Sequence, residues 1–225
     1  MKISLIVFDL AGTTVKDNQD VHRVLCNTMR KFEVDISLNE ANDVMGIPKP
    51  VAIQRLLEKK GDGSVISREK ITSIHEHFVD AMKKFYQEDA NVGEKDGVSE
   101  TFYELKRRGI KICVDTGFDR AITDALLGRM QWQERGLIDG SITSDEVPNG
   151  RPHPDMIFKA MELSGTDNVA EVAKVGDTTF DLIQGQSAGC SLVIGVTTGA
   201  HSVEDLQNTY HTHLIENIRE IERIV

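Results

Sequence analysis

The segment that most restricts how this chain can fold is its first. Residues Ile3 to Phe8 form a nearly continuous apolar run that stops at a carboxylate, Asp9. A strand apolar at almost every position suits burial on both faces, as inside a parallel sheet. Ile110 to Val114, part of Leu137 to Thr143, Val172 to Val175 and Leu192 to Val196 read as further strands. Helical segments separate them: one capped by Ser99 and ending near Gly109, one capped by Asp119, one begun by Pro154, and one over Phe180 to Ser187. Strands alternating with helices give βαβ units and an α/β fold with a parallel sheet. The stretch between the first and second strands is different. Val21, Leu25, Thr28, Met29 and Phe32 recur at helical spacing, as do Ile71, Ile74, Phe78, Met82 and Phe85, with a helix over Val51 to Leu57 begun by Pro50. The predicted architecture is an α/β core from residues 1–16 and 92–225, interrupted by a helical insertion over 17–91.

Composition narrows the function classes. The 225 residues carry 36 acidic and 26 basic side chains, a net charge of −10, which argues against an unaided nucleic-acid binder. No run of about 18 apolar residues exists, so no membrane association is expected. Met1-Lys2-Ile3-Ser4 runs straight into the first strand without a small-residue cleavage site and reads as strand, not signal peptide. Cys26, Cys113 and Cys190 are widely spaced and form no CxxC, which predicts reduced, buried thiols in a cytoplasmic protein.

In an open parallel sheet, ligands bind at the carboxyl ends of the strands. The polar residues of this chain gather there: Asp9-Leu10-Ala11-Gly12-Thr13 after the first strand, Thr116-Gly117-Phe118 after the second, and Gly176-Asp177-Thr178-Thr179-Phe180-Asp181 after a later one. Gly150-Arg151-Pro152 precedes a helix on the same side. Carboxylates brought together from separate loops repel unless a hard cation joins them, and Mg²⁺ suits Asp9 with Asp177. The Thr116 hydroxyl and the Arg151 guanidinium are groups that can grip phosphoryl oxygens.

Asp9-x-x-Gly12-Thr13, Thr116, Arg151 and Gly176-Asp177-x-x-x-Asp181, in that order, resemble the four motifs of the haloacid dehalogenase superfamily over the whole chain. The resemblance implies a Rossmann-like core with a helical cap inserted after the first strand, Asp9 as nucleophile, and Mg²⁺ held by Asp9, the Ala11 carbonyl and Asp177, with Asp181 on a metal-bound water. Phosphatases of that superfamily carry a second aspartate where this chain has Ala11. Phe8-Asp9-Leu10-Ala11-Gly12-Thr13-Thr14-Val15 is similar instead to the phosphonatase (phosphonoacetaldehyde hydrolase) family. That family also has arginine at the place of Arg151 and a cap motif like Met45-Gly46-Ile47-Pro48-Lys49. The likeness implies that Lys49 forms a Schiff base with a substrate aldehyde, and that Gly12, Thr13, Met45, Gly117 and Phe118 line the substrate site. Three positions differ: Ala52 stands for a family histidine, Gln19 for a cysteine and Phe118 for a tyrosine.

The expected partner is a small phosphorylated or phosphonate substrate, with a homodimer as the candidate assembly. A phosphatase acting on a small phosphorylated metabolite and a weakly active phosphometabolite-binding protein remain as alternatives. His75, His77, His153 and Lys59, Lys60, Lys83 and Lys84 read as solvated side chains, and Trp132 as packing.

Overall fold

The computed structural model describes residues 2–61 and 66–225; Met1 of the expected core and residues 62–65 of the expected insertion lie outside them. Six strands form one sheet in the order β3-β2-β1-β4-β5-β6, and every neighbouring pair is parallel. They are β1 (Leu5–Asp9), β2 (Lys111–Thr116), β3 (Gly140–Thr143), β4 (Val172–Gly176), β5 (Leu192–Val196) and β6 (His213–Ile215). The apolar run of the first strand has its reason here: β1 is central, hydrogen-bonded to β2 and β4, and buried at every position.

Strand alternation divides the core between two faces. Ile6, Phe8, Ile112 and Val114 point toward α5 (Val98–Arg107) and α6 (Arg120–Met130). Leu5, Val7 and Cys113 point toward α7 (Asp155–Ser164) and α8 (Thr179–Ala188). Asp9 and Asp115 follow the second set in the alternation. They are cross-strand neighbours at the carboxyl end of the sheet.

Between β1 and α5 the chain forms α1 (Asp20–Lys31), α2 (Leu38–Asn42), α3 (Lys49–Lys60) and α4 (Arg68–Glu88). Their apolar faces join the Ile6–Phe8 side of the sheet in one continuous cluster that includes Leu25, Ile53, Phe78 and Phe118. The chain leaves and re-enters the sheet layer through two adjacent stretches: the Lys16 amide donates to the Gly93 carbonyl and the Lys95 amide to the Thr14 carbonyl, both at 2.9 Å.

Two local expectations need correction. Ser99 does not cap α5. The helix starts two residues earlier, at Val98 with Gly97 in the cap position, and the Ser99 hydroxyl donates to Glu94 at 2.6 Å. His75 is not a solvated side chain: it is half-buried on α4, its Nε2 3.5 Å from Asp119, and burial lowers its pKa. Asp119 does cap α6, its carboxylate accepting the Ile122 amide at 3.1 Å. Trp132 is fully buried against Phe102, which in turn packs on Phe8 with ring centroids 4.9 Å apart. Phe102→Ala should lower stability by about 3–5 kcal/mol, read as a reduced denaturation midpoint in urea, because this stack joins α5 to the central strand.

Candidate active site

Four buried carboxylates meet at the carboxyl end of the sheet. Asp9 ends β1, Asp115 lies on β2, Asp177 follows β4, and Asp181 stands in the first turn of α8. Ligand oxygens of Asp9, Asp115 and Asp181 lie within 4.8 Å of one another. Arg151, 3% exposed, sits among them: Nη1 lies 2.7 Å from Asp9 and 3.2 Å from Asp181, and Nη2 lies 2.6 Å from Asp115. Lys174, on β4 and fully buried, pairs with Asp115 and lies 3.0 Å from Asp181. Buried like charges at this spacing are tolerable only when interleaved with opposite ones.

Asp177 is held by other partners. The Thr13 hydroxyl donates to its Oδ1 at 2.6 Å and the Ala200 amide to its Oδ2 at 2.7 Å. Gly12 has φ +91°, and a Cβ there would stand 2.3 Å from Asp177 Oδ2, so only glycine lets the β1 loop close on this carboxylate. Asp9 is pushed up to about 8, chiefly by burial, with Asp181 and Asp177 adding to the rise against the pull of Arg151. Burial likewise raises Asp177, whereas Arg151 and Lys174 outweigh it at Asp181 and hold that carboxyl low.

An all-oxygen, carboxylate-rich donor set of this kind suits a hard divalent cation and not a soft one. One oxygen of the cluster, Asp115 Oδ2, makes no hydrogen bond among the described residues, and at Asp9 burial outweighs the pull of the cations present. The residues therefore fit Mg²⁺.

The opposite wall comes from the helical insertion. Lys49 is the first residue of α3, 3% exposed, and faces the same pocket as Asp9, Thr116 and Arg151. Its Nζ lies 5.3 Å from the centre of the Phe118 ring. Burial and the nearby Arg151 push the ammonium down to about 8, against the opposing fields of Asp9 and Asp17. Met45 and Gly117 also line this pocket. A Cβ on Gly117 would stand 2.7 Å from the Ile47 carbonyl oxygen, so the insertion's Met45–Lys49 loop rests directly on the β2 loop. Ala52 is buried and offers no functional group.

The expected residues Asp9, Ala11, Met45, Lys49, Thr116, Gly117, Phe118 and Arg151 thus border one pocket. Gly12 and Thr13 lie behind it, holding Asp177; Asp181 is reached through Arg151. Sequence reasoning missed Asp115, Lys174 and Asp17, which also borders the pocket. The signal for the first two was available: an aspartate and a lysine inside otherwise apolar central strands must find buried partners. His153 is exposed and takes no part.

The chain belongs to the haloacid dehalogenase-like hydrolases, whose family model matches residues 6–195. Within that class, it is 32% identical to the phosphonoacetaldehyde hydrolase of Bacillus cereus over 232 residues, 97% of this chain and 86% of that protein. The enzyme of the same name from Bacillus mycoides is 32% identical over 235 residues, with the same coverage of 97% and 86%. A phosphonoacetaldehyde hydrolase-like protein from Oleispira antarctica shares the fold with a TM-score of 0.86 at 21% identity, covering 100% of this chain and 91% of that one. A predicted phosphoglycolate phosphatase from Haemophilus somnus does so at 0.84 and 20% identity, covering 100% and 98%. Among the described residues, no helix is long and apolar enough to cross a membrane.

Lys174→Met leaves Asp115 and Asp181 without one of their two cations. It should cost about 3–5 kcal/mol in urea unfolding, and Asp115→Leu in the same chain should restore part of that loss.

Proposed function

We propose that this hydrolase cleaves the carbon–phosphorus bond of phosphonoacetaldehyde or a closely related phosphonate, with Asp9 as nucleophile and Lys49 as the amine that forms an imine with the aldehyde. The observation that carries this reading is Lys49 itself. A lysine nine-tenths buried and lowered to about 8 is a nucleophile near neutral pH, and it borders the same pocket as Asp9 and Arg151. Ala11 and the sequence likeness to phosphonoacetaldehyde hydrolases support it.

Residues 17–91 act in this reading as a cap over the core of 1–16 and 92–225, hinged where the Lys16–Gly93 and Lys95–Thr14 pairs lie side by side. Arg151 and Thr116 hold the phosphoryl oxygens and aim phosphorus at Asp9. The imine on Lys49 withdraws electrons from the carbon bound to phosphorus. When the Asp9 carboxylate attacks phosphorus in line, the carbon fragment leaves as an enamine and water later hydrolyses the aspartyl phosphate. Asp9, the Ala11 carbonyl and Asp177 would hold Mg²⁺, with Asp181 behind, and the ion would offset negative charge on the phosphoryl group. Closure of the Met45–Lys49 loop on Gly117 keeps water from the reaction until the fragment leaves. The buried, unpaired cysteines agree with a cytoplasmic location.

Borohydride added with phosphonoacetaldehyde should reduce the imine and leave a stable adduct on Lys49, found by peptide mass spectrometry. The neutral amine accumulates as pH rises through the lowered pKa, so the trapping rate should be half-maximal near pH 8 and level above it. An exposed lysine would keep rising toward pH 10. Turnover of phosphonoacetaldehyde without any Lys49 adduct would refute the imine reading.

A further inference from the structure

Imine formation needs more than an unprotonated lysine. A proton must leave the ammonium before attack, and one must reach the carbinolamine hydroxyl as it departs. Ala52 offers no group for either, and Ala11 none on the other side of the pocket. The structure puts a carboxylate there that the sequence motifs did not single out.

Asp17 borders the pocket with Lys49. Its place is fixed from outside: Oδ1 accepts the Asp20 amide at 2.6 Å and the Val21 amide at 3.3 Å, capping α1 through a turn in which Gln19 has φ +64°. That leaves Oδ2 free of these bonds. His22 faces it with Nδ1 at 3.9 Å, and the imidazole is itself buried, 3% exposed. His22 Nε2 lies 2.8 Å from Asn42 Oδ1, a contact that orients the ring. Nδ1 has no hydrogen-bond partner among the described residues and lies on the side of Asp17. Asp17 thus presents a carboxylate oxygen, backed by the buried His22 ring, at the wall of the Lys49 pocket.

The geometry points to Asp17, backed by His22, as the proton-transfer residue of the Lys49 imine step; this inference rests on the imine reading above. The Lys49 ammonium gives a proton to the Asp17 carboxylate. The free amine adds to the carbonyl carbon, the carbonyl electron pair moves to oxygen, and the nitrogen's surplus proton passes to that oxygen to give a carbinolamine. Asp17 then returns its proton to the hydroxyl as the carbon–oxygen bond breaks and the nitrogen lone pair closes the C=N bond. Ammonium plus aldehyde become iminium plus water, and Asp17 ends as it began. Asp17 and Lys49 line the same pocket without a direct ion pair, and the carboxylate's field acts on the ammonium, so the proton crosses between them through water in the pocket. His22 acts through Asp17 as a positioning residue.

Rapid-quench borohydride trapping with phosphonoacetaldehyde tests this in wild type, Asp17→Asn and His22→Asn. Asparagine at 17 keeps an oxygen for the Asp20 and Val21 amides, so the melting temperature should change little. The Lys49 adduct should form about 10²-fold more slowly in Asp17→Asn, the lower end of what general acid–base catalysis contributes. His22→Asn, which leaves the α1 cap untouched, should slow it about 10-fold, and Asp17→Glu should recover part of the rate. A structural role would move the melting temperature with the adduct rate and would not be rescued by glutamate. Trapping by Asp17→Asn within twofold of wild type overturns the relay and leaves the imine reading standing; should that variant not fold, a wild-type rate in His22→Asn overturns it instead. Absence of the adduct in wild type fails both.

Discussion

The rest of the site depends on the guanidinium of Arg151. It reaches Asp9 at 2.7 Å, Asp115 at 2.6 Å and Asp181 at 3.2 Å, while itself 3% exposed. Without it, three carboxylates from two strands and a helix would meet in a volume closed to water, where the cost of unpaired charge is several kcal/mol per ion. With it, the loop before α7 is pinned to β1, β2 and α8 together. Lys174 completes the arrangement from below, and even so Asp9 remains raised to about 8. At Asp9 burial outweighs the pull of the cations the protein supplies, and that deficit is one a divalent cation and a second cationic side chain would fill.

That deficit gives the helical insertion its chemical meaning. Lys49 approaches a pocket whose net field is set by Asp9, Asp17 and Arg151, and burial outweighs the two carboxylates in fixing its protonation. The same closeness that lowers Lys49 requires backbone to rest on backbone where Gly117 meets the Ile47 carbonyl. Proximity of insertion and sheet loops, charge balance and amine reactivity are one property seen from three sides.

Much of this was legible in the sequence because it is local. The apolar run ending at Asp9 fixes a central strand, and Gly12-Thr13 and Gly176-Asp177 mark the loops that meet beyond it. The α/β alternation placed the first five strands to within a residue or two, from Val172 and Leu192 at the start of β4 and β5 to Val196 at the end of β5, and did not reach the short edge strand β6. What stayed hidden depends on contacts between distant segments. Asp115 and Lys174 look like isolated polar residues until β1 brings β2 and β4 together. The close triple Asp9, Asp115 and Asp181 likewise needs β1, β2 and α8 to meet, while Thr13 and Ala200 hold the Asp177 carboxylate from the β1 and β5 loops. Asp17 marked only the boundary of the helical insertion, and the fold shows that one of its oxygens faces His22.

Phosphorus NMR of the purified enzyme with phosphonoacetaldehyde, and separately with phosphoglycolate, tests the central claim most directly. The account predicts that the phosphonate resonance converts to inorganic phosphate with release of acetaldehyde, and that Lys49→Ala abolishes the conversion. Hydrolysis of phosphoglycolate by wild type and Lys49→Ala alike, with the phosphonate left intact, would contradict it.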